Sequence, residues 1–104
     1  MHRRKLDKLK RELAQLRRSP QKARALQSLA KRLGRKKVKR GKEPMWESTE
    51  FGDLFVLSIP DHGGRDLPPG TKNSILDQLE GDILRWDEKF DDEDEREARG
   101  EELE

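Results

Sequence analysis

His62 lies between Asp61 and the pair Gly63-Gly64, and it is the residue of this chain best suited to acid–base chemistry. An imidazole titrates at about pH 6.5, so near neutrality it can take a proton from a ribose 2′-hydroxyl or return one to a leaving oxygen. The flanking carboxylate could orient the ring, and the glycines would let a phosphate backbone come close. A loop histidine more commonly just hydrogen-bonds its own loop, and that reading stands beside the catalytic one. The second histidine, His2, sits at a terminus expected to fray. With no cysteine in the chain, thiol chemistry, disulfides and cysteine-based zinc or iron–sulfur centres are excluded. No spacing of His, Asp and Glu suggests a metal site, and neither a metal nor a cofactor is expected.

Phosphate binding is the other chemistry the residues suggest. Arg35, Lys36, Lys37, Lys39, Arg40 and Lys42 fall within eight consecutive positions, with Val38 the one apolar side chain among them. Lys72 lies at the opening of a predicted helix, where free amides and the positive dipole end favour an anion. Residues 1–43 hold 18 Lys and Arg against 3 Asp and Glu, a net +15. Residues 44–90 hold 4 against 10, net −6, and residues 91–104 hold 2 against 9, net −7. The overall +2 therefore hides a polarised molecule whose basic half suits a phosphate backbone. Solvated basic helices are the plainer alternative.

Those residues need elements to hold them. Leu6, Leu9, Leu13 and Leu16 are spaced as the apolar seam of a helix. Ser19-Pro20 reads as the start of a second helix, which buries Leu26, Leu29, Ala30 and Leu33 and stops at Gly34. The two seams either face one another in a hairpin, or the first helix is an arm that docks on a partner. Residues 35–42 are either a first strand or a loop. Residues 45–49 suggest a short strand and 54–59 another, closed by Pro60. Thr71 reads as the N-cap of a last helix bearing Ile75, Leu76, Leu79, Ile83, Trp86 and Phe90 on one face. The acidic residues after Phe90 have no apolar period and read as a disordered or frayed helical tail.

The strand ending Ile59-Pro60-Asp61-His62-Gly63-Gly64, the turn Pro69-Gly70-Thr71 and the helix opening Lys72-Asn73-Ser74-Ile75-Leu76 together resemble the C-terminal half of the HicA toxin family. Further upstream, residues 25–34 resemble the family's first helix and its closing glycine, and residues 38–41 the approach to its first hairpin. The resemblance covers residues 20 to 84. It implies a fold like that of double-stranded-RNA-binding domains, a metal-independent RNA-cleaving activity and a HicB-like antitoxin as protein partner. The family's hairpin, however, carries Gly-Ser-His, whose histidine is catalytic. Here the corresponding residues are Gly41-Lys42-Glu43-Pro44-Met45-Trp46, with no histidine. The resemblance thus implies fold and RNA affinity more directly than cleavage.

The expected fold is α+β, with two N-terminal helices, a small antiparallel sheet of two or three strands, and a C-terminal helix packed on the sheet. Residues 1–18 are expected to form a basic amphipathic extension, 19–90 the domain and 91–104 an acidic tail. With 30% hydrophobic and 44% charged residues, the whole chain cannot form one large core. No apolar run approaches the roughly 20 residues that cross a membrane, and a cytoplasmic RNA-binding module is the expectation. The alternative is a module that docks an acidic protein without RNA chemistry.

Overall fold

The computed structural model describes residues 1–40, 43–61 and 64–103. The chain runs α1 (Arg3–Leu16), α2 (Ala23–Arg32), β1 (Arg35–Arg40), β2 (Glu43–Ser48), β3 (Leu57–Ser58) and α3 (Pro69–Leu103). The strands form one antiparallel sheet in the order β1-β2-β3, and the class is α+β as expected. No helix of the described residues is long and apolar enough to cross a membrane.

The leucine seam of α1 is core. Leu6, Leu9 and Leu13 are buried with Leu26, Leu29, Ala30 and Leu33 of α2 and with Ile75, Leu76, Leu79, Ile83 and Trp86 of α3. Residues 1–18 are therefore part of the packed unit, and the docking-arm alternative loses its apolar face. His2, expected to fray, is the N-cap of α1, its Nδ1 accepting from the amide of Lys5 at 3.3 Å.

α2 starts later than Ser19-Pro20 predicts. Lys22 is held extended by a bridge to Asp66, and the amide of Leu67 donates to the carbonyl of Gln21 at 2.8 Å. Those contacts keep residues 21 and 22 out of the helix. Its end matches expectation, since Gly34 takes φ +97°, the left-handed region that glycine enters without strain. The carbonyl of Gly34 then accepts from both the amide and the hydroxyl of Thr49, at 3.0 and 2.8 Å.

In the sheet, Trp46 pairs with Leu57 and both are buried on the helix side. The predicted strand over 54–59 contracts to two residues. The Arg35 guanidinium takes the carbonyl of Phe55 at 3.0 Å, diverting the chain before it can extend the ladder. Phe55 itself is left 88% exposed.

The last helix corrects two expectations. It begins at Pro69, a residue suited to a first helical position, so Thr71 lies inside it. It also runs on through the acidic segment for 35 residues, about 52 Å at 1.5 Å per residue. Of the two readings of the tail, disordered or frayed helical, it is the helical one that forms, consistent with good helix formers (Glu, Arg, Ala) and with Arg3 pairing to Asp91 and Asp94 at 3.1 and 2.6 Å.

Candidate nucleic-acid interface

The basic run divides as it folds, because successive strand residues point to opposite faces and only some positions reach solvent. Lys36, Lys37 and Lys39 are exposed, and Arg40 ends β1. Lys42 lies outside the described residues, and so does His62. Arg35 turns inward: its side chain is 2% exposed and that of Asp82 1%. The guanidinium forms a two-pronged pair with that carboxylate and donates to the carbonyl of Trp46 at 2.8 Å. With its donors engaged inside, Arg35 is a structural cation and leaves the phosphate-binding set.

Lys72 leaves it for a related reason. Its ammonium is buried and donates to the carbonyls of Arg17 and Ser19, each at 3.0 Å. Those oxygens belong to the end of α1 and the turn after it, where helix carbonyls lack partners and a cation is favoured. Lys72 thus ties α1 to α3.

What sequence reading missed is a second population of cations. Arg4, Lys8 and Arg11 are exposed on α1 at spacings of four and three, on the side away from its buried leucines. Arg24 and Lys31 repeat that phase on the exposed side of α2. The signal was available: the period that marks the leucine seams also places these cations on one outward ridge per helix. α2 lies between α1 and the sheet. Arg32 of α2 makes a bidentate pair with Glu12 of α1, and Lys31 stands 5.7 Å from the centre of the Trp46 ring. The outward cations of α1 and α2 thus sit on neighbouring helices, and β1, next to α2, carries exposed Lys37 and Lys39.

Carboxylates gather elsewhere. Along α3, Asp77 and Glu80 hold Arg17 at 2.8 and 2.9 Å, and Asp87 holds Lys10 at 2.9 Å. Hydrogen bonding to Asp77 raises the pKa of Arg17, and Asp91 and Asp94 do the same for Arg3. Arg32 is raised by its bond to Glu12. These cations are neutralised within the fold. By contrast Arg4, Lys8, Arg11, Arg24, Lys37 and Lys39 carry no ion pair among the described residues.

Compared with family models, curated proteins and solved structures, the chain matches none. The site must be judged on its own chemistry. Among the described residues no group of three or more His, Cys, Asp or Glu could hold a metal ion. Asp61 and Gly64 line a cleft of about 270 Å³ with Lys22 and with Arg24 and Gln27 of α2. That cleft places the loop after β3 beside the start of the α2 ridge. The arrangement offers charge at several points and no acid–base pair among the described residues.

Proposed function

We propose that this chain binds RNA, gripping the phosphate backbone with the outward cations of α1, α2 and β1. The observation that carries the reading is the set formed by Arg4, Lys8, Arg11, Arg24, Lys31, Lys37 and Lys39, all exposed, while Asp77, Glu80, Asp87, Asp91 and Asp94 of α3 are paired with Arg17, Lys10 and Arg3. Exposed cations on α1, α2 and β1, with the carboxylates of α3 nearest α1 already paired, suit a polyanion. The choice of RNA over DNA rests on the resemblance of residues 20 to 84 to the HicA toxins. The helix, three-stranded antiparallel sheet and helix from α2 to α3 are compatible with it. Cleavage is not part of the reading, since the hairpin position of the family's catalytic histidine holds none here.

Fluorescence anisotropy with a labelled RNA across a salt series tests it. Affinity should fall steeply as salt rises, with the logarithmic slope reporting the phosphates contacted. Reversing Lys37 and Lys39 to Glu should weaken binding and flatten that slope. Absence of binding at low ionic strength, or binding indifferent to salt, would overturn the reading.

A further inference from the structure

The two edges of the sheet are finished differently. β1 carries exposed Lys36, Lys37 and Lys39, and charged side chains of this kind keep an open edge from pairing with another chain. At the other edge, no described strand lies beyond β3. β3 belongs to Leu54-Phe55-Val56-Leu57-Ser58-Ile59-Pro60, seven residues without a charge and the longest such run in the chain. From this contrast we infer that the β3 edge receives a second copy of this chain, Phe55 of each protomer entering a neutral groove of the other. Such a dimer forms whether or not RNA is bound.

The groove lies between that edge and the first turns of α3, with a volume of about 540 Å³. Met45, Val56 and Pro60 line it on one side, and Ser74, Ile75 and Gln78 of α3 on the other. None of its nine lining residues is charged, in a chain where 44% of residues are. The centres of protein interfaces are depleted of charge in the same way, and across this groove a second copy sets no like charges against each other.

Phe55, next to Val56 in the chain, is 88% exposed. The other rings are engaged inside the protomer: Trp46 and Trp86 are buried, and Phe51 and Phe90 pack on Trp86 with ring centres 5.0 and 6.0 Å away. Arg35 holds the Phe55 carbonyl at 3.0 Å, so the exposed ring stands on a fixed support and loses little freedom on docking. Glu50 and Asp53, earlier in the same segment, pair with Lys89 and Arg85, so their charge is answered within the protomer. A knob and a groove on one edge are what a twofold axis requires, since each copy gives and receives the same contact.

An aromatic side chain buries roughly 150–250 Å², and two of them with the groove surfaces that receive them take roughly 600–1,000 Å² out of water. That is the low end for a specific interface, so the dimer is weak, with a dissociation constant on the order of 10 μM. β3 is two residues long and adds few backbone bonds, which leaves most of the contact to side chains. Joined at β3, the strands run β1-β2-β3-β3-β2-β1, with the β1 lysines at opposite ends. The basic surface is then present twice, and the contact uses none of its cations.

Sedimentation velocity on the full chain, from about 1 to about 200 μM at physiological salt, tests the dimer by mass action. A monomer–dimer equilibrium is expected, changing by less than about twofold when salt is raised to about 0.5 M, because no charge takes part. Phe55→Ala should weaken dimerisation at least about tenfold, as should Ser74→Glu with Gln78→Glu, which sets like charges on the α3 side of both grooves. All three positions are exposed, so the melting temperature of the dilute protein should not change in either variant. A monomer throughout the range would overturn the second copy as occupant and leave the groove to an extended segment of a different protein. A dimer that survives both variants uses another surface, and one that dissolves as salt rises is held by charge; either result overturns the inference.

Discussion

The guanidinium of Arg35 and the carboxylate of Asp82 meet in a buried fork, with Nε to Oδ2 at 2.7 Å and Nη2 to Oδ1 at 2.8 Å. The remaining donor, Nη1, bonds the carbonyls of Trp46 and Phe55. One side chain thereby joins β1, β2, the approach to β3 and the middle of α3. Removing either partner leaves a charge uncompensated in the interior, at a cost of about 3–5 kcal/mol. Asp82→Ala should therefore lower stability by that amount in urea unfolding, or prevent folding. Arg35→Met with Asp82→Leu should recover part of the loss. A single substitution costing less than about 1 kcal/mol would mean that water reaches the pair.

The α1 seam makes a second prediction. Leu9 is 2% exposed in the core shared with α3. Leu9→Ala should cost about 2–5 kcal/mol through lost contact and the cavity left behind. Deleting residues 1–18 should destabilise the rest more severely, because Leu6, Leu9 and Leu13 leave together and Lys72 loses the carbonyl of Arg17. A truncated chain that melts where the full chain does would restore α1 to the status of an arm.

Lys72 and the β1 lysines separate structural from binding cations. Lys72→Met should cost about 1–3 kcal/mol, because two part-buried bonds from the ammonium are lost, while the salt slope of RNA binding stays as it was. Lys37→Glu with Lys39→Glu should do the reverse, leaving the melting temperature nearly unchanged and flattening the slope. A slope that responds to Lys72→Met in a folded protein would put the ammonium back on the binding surface.

Much of this fold was legible because apolar periods report which face is buried. The leucine spacing located α1 and α2, Gly34 marked where α2 stops, and the apolar face from Ile75 to Trp86 located α3. What the periods could not report was pairing between distant charges. In sequence Arg35 and Lys72 look like any other cation, yet Arg35 meets Asp82, 47 residues away, at 2.7 Å, and Lys72 reaches the carbonyls of Arg17 and Ser19. The same blindness hid the acidic helix, whose order depends partly on Arg3 at the other end of the chain. Strand length failed for a local reason, since Arg35 captures the Phe55 carbonyl that a longer β3 would need to present differently.

His62 supplies a test of chemistry apart from binding. Residues 41–46 hold no histidine, and carboxylates ordinarily titrate near 4, far from neutrality. Labelled RNA incubated with wild type or with His62→Ala should stay intact in both cases. Both proteins should also bind it equally. Cleavage by the wild type that disappears in His62→Ala would make the loop after β3 a catalytic site.

The distal end of α3 bears on binding through charge alone. Beyond Asp94, which pairs with Arg3, residues 95–100 are exposed, and Arg99 lies 4.0 Å from Glu95 of its own helix. A continuous helix cannot fold back over the ridges of α1 and α2 as a flexible acidic tail would. Its carboxylates act on RNA only across solvent, where the Debye length is about 8 Å at physiological salt and about 30 Å at 0.01 M. Truncation after Asp94 should leave melting unchanged, tighten RNA binding modestly at 0.01 M and have no effect at physiological salt. Truncation after Phe90 also removes Asp91 and Asp94, freeing Arg3 at little cost in stability because the pair is exposed. Tighter binding on truncation after Asp94 that persists at physiological salt would show direct contact between the acidic helix and the basic ridges.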